Sequence, residues 1–308
     1  MTILMTGLCE KGADQIWKQC NDAMYAQGVT WLEEAAYAGD AEAWFFLGHC
    51  YSWGDGAVGF NEKKAYECYL RGASAGSARA VLGALRAGQY DEQMKQSARY
   101  SIEESYRQVR DAAEMGDVYA AWQMGEAVEW EDLADYMPQT ESAREQCLFW
   151  YERAADGGII PAMVKMGKCC QNGTYREKDE KEALRWANQC AASGEVWGLF
   201  QMGEHYRQEE DWEAAFQYDY AAAKQGSSRA MLYLGQMYLN GQGTERDIQA
   251  AVQALENAAA RNEAESFEEL GNLFYQDELV ERDDEKAFYW YGKAYAAGIK
   301  EVALPLAR

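Results

Sequence analysis

A Leu-Gly or Met-Gly pair recurs down the chain at Leu47-Gly48, Leu82-Gly83, Met124-Gly125, Met166-Gly167, Met202-Gly203, Leu234-Gly235 and Leu270-Gly271. The intervals are 35, 42, 42, 36, 32 and 36 residues. Self-similarity at such a period marks small supersecondary units that bury their apolar faces only by stacking on one another. A second anchor lies nine residues before most of these pairs: Gly39, Gly116, Gly158, Gly194, Gly226 and, as a substitute, Asn262; at Gly76 the interval shortens to seven. Gly and Asn tolerate the left-handed backbone that closes a helix. The second anchor is therefore predicted to end one helix, and the Leu/Met-Gly pair to lie inside the next.

The helix before each second anchor carries its own code. Four and three residues ahead of the anchor stand Ala35-Ala36, Gly72-Ala73, Ala112-Ala113, Ala154-Ala155, Ala222-Ala223 and Ala258-Ala259. Eight ahead stand Trp31, Trp150, Trp186, Tyr218 and, counted from Gly298, Trp290; eleven ahead stand Ala65, Ala183, Ala215, Ala251 and Ala287. Large aromatics at one level and alanines at the next let neighbouring helices interlock. Two helices per unit follow: A, with Leu/Met-Gly, and B, with the Ala, Trp, Ala-Ala code.

This pattern resembles the Sel-1-like repeat family, a variant of the tetratricopeptide α-solenoid. The fullest match is Ala230, Leu234-Gly235, Tyr238, Gly241, Gly243, Asp247, Ala251 and Ala258-Ala259, while the last unit adds Trp290-Tyr291 and an early one has Leu47-Gly48-His49-Cys50-Tyr51. The resemblance covers residues 30 to 298 and implies an all-α, right-handed superhelical α/α solenoid. The expected units are a degenerate N-terminal one over 10–39, repeats over 40–76, 77–116, 117–157, 158–194, 195–226, 227–262 and 263–298, and a tail over 299–308, in one repeat domain spanning 1–308. Long A–B loops are expected near Gln89–Ser97 and Trp130–Thr140, and a short one at Gln208–Asp211.

A net charge of −22 disfavours nucleic acid and anionic membranes as partners. It suits a basic protein or peptide, and equally a soluble acidic surface. No apolar run reaches the length of a membrane span, and Met1 to Gly12 shows neither the basic start nor the apolar core of a signal peptide. A bacterial cytoplasmic protein with reduced thiols is the expectation.

The candidate chemistry is absorbed by the repeat. Among the eight cysteines, Cys50, Cys169 and Cys170 fall at mostly apolar positions of helix A. Cys147 takes an alanine position of helix B, Cys190 the first of the Ala-Ala pair, and Cys68 the tryptophan level. All six read as small core residues. Cys169 and His205 hold equivalent positions in adjacent units, but with His49 and Cys170 they lack metal-ligand spacing, so no metal is expected. Gly54-Asp55-Gly56-Ala57-Val58-Gly59 matches G-x-G-x-x-G, yet it follows a helix and reads as a turn, not a dinucleotide loop. Asn172-Gly173-Thr174 reads as the equivalent turn. The acidic runs Glu209-Glu210-Asp211 and Asp283-Asp284-Glu285 sit where B helices begin and suit their dipoles and caps. No nucleophile comes with a nameable base, so neither an enzyme nor a cofactor is expected.

In tetratricopeptide-like superhelices the A helices line the concave wall, and the resemblance implies the same here. The stripe facing away from helix B comprises positions two before, one after and five after each Leu/Met-Gly glycine. Its candidate partner-binding residues are Phe46, His49, Trp53, Gln123, Glu126, Trp130, Lys165, Lys168, Gln201, Glu204, Tyr233, Gln236, Glu269 and Asn272. Aromatics there suit interface anchors, although Trp53 and Trp130 read equally as packing beneath the loops. The leading expectation is a non-catalytic adaptor holding a protein or peptide in its groove. Alternatives are an acidic immunity protein neutralising a basic toxin, a translocated bacterial effector and, last, an enzyme acting on cell-wall peptides. Val302, Ala303, Leu304 and Leu306 leave an apolar C-terminal end, at which either self-association or docking of the partner is expected.

Overall fold

The computed structural model describes residues 7–19, 22–54, 58–129, 143–276 and 280–299. Among these it contains seventeen helices and no strand, and no helix is long and apolar enough to cross a membrane. The chain divides into two compact units, residues 1–194 and 195–308.

In the first unit, helix pairs follow one another as α1 (Gly7–Trp17) with α2 (Asp22–Tyr37), α3 (Ala41–Trp53) with α4 (Glu62–Ala75), α5 (Ala78–Arg86) with α7 (Ile102–Glu114), α8 (Val118–Glu129) with α9 (Ala143–Asp156), and α10 (Ile160–Asn172) with α11 (Glu180–Ala192). The second unit pairs α12 (Val196–Gln208) with α13 (Trp212–Lys224), α14 (Ser228–Asn240) with α15 (Ile248–Ala259), and α16 (Ala264–Gln276) with α17 (Asp284–Ala296). Each A helix packs on its own B helix, and in most units on the B helix before it. The N-terminal unit, expected to be degenerate, forms a full pair.

Local chemistry sets the boundaries. Asp179, Asp211, Asp247 and Asp283 each accept a backbone N–H at the start of a B helix, and Ser101 forms a capping box with Glu104 at α7. The acidic runs thus supply caps. At the other end, Gly39, Gly116, Gly158 and Gly226 have φ between 91° and 101°, and Asn262 takes 61°, the left-handed closure that the anchor spacing predicts. Gly54 and Gly173 close α3 and α10 in the same way, so both motifs containing them begin as turns; residues 55–57 lie outside the described ones. The loop expected over Gln89–Ser97 instead contains a short helix, α6 (Glu92–Ser97), capped by Asp91 and pinned by fully buried Met94.

The Leu/Met-Gly glycine has a packing role. An added Cβ at Gly48 would meet the Tyr69 ring at 2.6 Å, and one at Gly83 would meet the same ring at 2.7 Å. Tyr69 of α4 is therefore gripped between two A helices, and only glycine leaves room for it. Gly125 with Tyr151, Gly235 with Leu255 and Gly271 with Tyr291 repeat this contact. The large residue always stands seven before the second anchor. The tyrosine hydroxyls stay satisfied: Tyr151 donates to Glu129 (2.7 Å) and Tyr291 to Asn272 (2.9 Å).

Candidate functional site

The two units treat their A-helix faces differently. In the first, α1 brings Trp17 against the faces of α3 and α8, where its ring lies 5.1 Å from Phe46, 5.6 Å from His49 and 5.8 Å from Trp122. Tyr119 packs on Phe46 at 5.1 Å and donates to Asp14 of α1 at 2.6 Å. Trp17, Phe46, His49, Tyr119 and Trp122 are all buried. Phe46, His49 and Gln123, expected on an open groove, are buried instead, the first two because the chain's own first helix lays Trp17 against them. Gln123 spends its amide on the Arg79 carbonyl, 3.0 Å away.

Beneath this plug lies a buried charge cluster. Arg79 of α5 is fully enclosed, pairing with Asp117 and with Glu42 at 3.6 Å and lying 5.7 Å from the Phe46 ring. Burial pushes the Glu42 carboxyl up, and Arg79 opposes that shift. At the rim, Glu126 faces His49 (3.9 Å) and Arg86 (3.5 Å), and Arg86 covers Trp53, which is half exposed. Lys165 pairs with Glu129, and Lys168 is exposed. Trp130, with the loop to Thr140, lies outside the described residues, as does the 300–308 tail expected to self-associate or to receive the partner.

The second unit keeps its A-helix face open. Tyr233, Gln236 and Glu269, all members of the predicted stripe, line a cavity of about 580 Å³ together with Arg207, Trp212, Asn240 and Arg246. Gln236 donates to Glu269 at 2.8 Å. The Arg207 guanidinium lies 3.8 Å from the Tyr233 ring centre, and Phe200 stacks on Tyr233 at 6.1 Å. Gln201 and Glu204 are half-buried on α12, and Asn272 is exposed on α16.

Arg207 is anchored from below by Asp219 of α13, a residue absent from the predicted stripe. Asp219 is fully buried, and burial lifts its carboxyl to about 6 against the downward pull of Arg207. The signal was available in the repeat register: Asp219 stands seven before Gly226, the position of Tyr69, Tyr151, Leu255 and Tyr291 in other units.

Cys9, Cys50, Cys68, Cys147, Cys169, Cys170 and Cys190 are all buried, and burial pushes the Cys68 and Cys147 thiols up to about 12. A thiol held there is protonated at neutral pH.

Comparison with known proteins gives a consistent result. The Sel1 repeat family model matches residues 23–40, 41–77, 118–159, 160–195, 228–263 and 268–299. These matches leave two units uncovered, 78–117 with α5 and α7, and 196–227 with α12 and α13. An uncharacterized protein of Neisseria meningitidis serogroup B is 26% identical over 195 residues, 62% of this chain and 38% of that protein. Among solved structures, c5321, a protective antigen of uropathogenic Escherichia coli with an SLR fold, aligns with a TM-score of 0.62 at 21% identity, over 87% of this chain and 56% of that one. A Sel1 repeat protein from Oxalobacter formigenes aligns with a TM-score of 0.53 at 21% identity, over 94% and 82%. The chain thus spans less than two thirds of two of these three proteins, and the structural likenesses establish the fold alone.

Proposed function

We propose that this chain, which belongs to the Sel1 repeat family, is a non-catalytic scaffold that binds a polypeptide partner in the A-helix groove of its second unit. Sel1 repeats generally mediate protein binding. The observation that carries the reading is the cavity of about 580 Å³ lined by Tyr233, Gln236, Glu269 and Arg207. It combines an aromatic face with convergent polar groups, the composition of a recognition surface.

Charge supports a basic partner. Between residues 195 and 299 the sequence has twenty acidic against eight basic residues. A field of that sign speeds encounter with a cationic surface and loses strength with salt. The test is affinity capture with the full chain at low and high salt, alongside a Tyr233→Ala/Glu269→Lys variant. The reading expects a net-basic protein held at low salt, released at high salt and not retained by the variant. Equal retention by the variant would remove the groove from the account. If the captured protein is a basic toxin, the scaffold acts as its immunity protein.

A further inference from the structure

Seven of the eight helix pairs place an apolar residue seven before the anchor: Leu32, Tyr69, Val109, Tyr151, Ala187, Leu255 and Tyr291, every one buried. The eighth places Asp219 there, at 0% exposure. Its Oδ1 sits where it would lie 2.5 Å from a Cβ added at Gly203, and makes no hydrogen bond. Oδ2 accepts from Arg207 Nη1. A carboxylate in a slot that otherwise takes leucine, tyrosine, valine or alanine is a poor packing choice, and a buried ion pair gives no assured gain over an apolar filling. Local departures of this kind mark functional positions, and this unit is one that the family model leaves unmatched.

What Asp219 achieves is the placement of Arg207. The guanidinium is fixed against the Tyr233 ring in the wall of the cavity. Arg246, from the segment before α15, lines the same cavity, is exposed and makes no ion pair among the described residues. The carboxylate lining the cavity, Glu269, is already engaged by Gln236. The cavity therefore holds an excess of guanidinium donors within an otherwise acidic unit.

We propose that this cavity receives one carboxylate of the polypeptide partner, an Asp or Glu side chain bonded by Arg246 and Arg207. A planar guanidinium pinned in advance loses little freedom on binding, and its fork matches a carboxylate. Single charge is preferred over a phosphate dianion, because Glu269 stands in the same lining. The proposal rests on the scaffold reading and specifies the chemistry of one contact: the acidic field draws a basic partner, and this anchor sets its register.

The test titrates the full chain with acetyl-Gly-Glu-Gly-amide and its Gln counterpart, following the Trp212 indole N–H and arginine Nε–H signals by NMR. The Glu peptide should saturate with a Kd of about 1–10 mM, as befits a single contact, and the Gln peptide should bind at least about tenfold more weakly. Arg246→Gln should cost at least about fivefold, and Asp219→Leu, which refills the slot as Leu255 does, should weaken binding while the chain stays folded. Equal affinity for both peptides, or inorganic phosphate binding more tightly than the Glu peptide, would overturn the proposal. A groove that captures a basic protein yet ignores the Glu peptide overturns the anchor and leaves the scaffold reading standing. Saturable Glu-peptide binding without any captured protein supports the anchor and counts against that reading.

Discussion

Residues 1–194 and 195–299 use one repeat code, yet their A-helix faces end differently. In the first unit α1 crosses that face, and Trp17 is buried among Phe46, His49, Tyr119 and Trp122. In the second, no such tryptophan covers the corresponding positions among the described residues, and Tyr233, Gln236 and Glu269 border an open cavity. A stripe that faces away from helix B is thus not yet a binding surface. Its fate depends on what else the chain lays across it: aromatic filling gives stability to one unit, and polar residues leave recognition to the other.

The largest expected effect breaks the filled side. Trp17→Ala removes the residue on which three helices converge and should cost about 3–5 kcal/mol, measured by chemical denaturation; a loss below about 1 kcal/mol would mean that the plug is ornamental. Next comes the Arg207–Asp219 pair. Arg207→Leu strands a buried carboxylate and should cost about 3 kcal/mol at pH 7, whereas the double change Arg207→Leu/Asp219→Leu should restore most of that loss.

The same pair gives a pH dependence with a definite sign. The folded Asp219 carboxyl titrates at about 6, above its usual value of 3.8. The folded protein holds this proton more tightly than the unfolded chain does. The group's contribution to stability is therefore complete below about pH 4 and declines as pH rises through about 6. The stability of Asp219→Leu relative to the parent should accordingly grow between pH 4 and pH 7. A flat difference across that window would contradict the burial of an ionising group.

Gly48→Ala tests the code shared by both units. Alanine in an exposed helix would gain about 1 kcal/mol over glycine, but here its Cβ meets the Tyr69 ring at 2.6 Å. A net loss of about 1–3 kcal/mol is expected. The smallest effect sharpens the open side: Arg246→Gln, at an exposed position, should leave unfolding within about 0.5 kcal/mol of the parent while weakening the carboxylate contact.

Much of the fold was legible because its cause is local and repeated. Glycine spacing gave the left-handed closures at Gly39, Gly116 and Gly226, and the Ala-Trp-Ala register gave the buried face of each B helix. Helix α6 escaped notice because six residues are too few to show a period, and only Asp91 and Met94 hinted at it. Phe46, His49 and Gln123 were placed on a surface because a repeat pattern reports orientation within one unit. It is silent about a helix returning from elsewhere in the sequence, and here the return of α1 sets the burial of Phe46 and His49. Asp219 was readable in principle, as the one charged residue in an apolar column. A stripe chosen on helix A alone omits it, since it acts on the groove from helix B through Arg207.

The most direct test of the central claim compares photocrosslinking from Gln236→p-benzoylphenylalanine with that from Trp53→p-benzoylphenylalanine in the cells that supply the gene. The first probe stands in the open groove, the second at the half-exposed rim of the filled one. The account predicts a discrete polypeptide adduct from position 236 and none from position 53. An adduct from position 53 alone would contradict it, placing the binding surface on the unit that Trp17 closes.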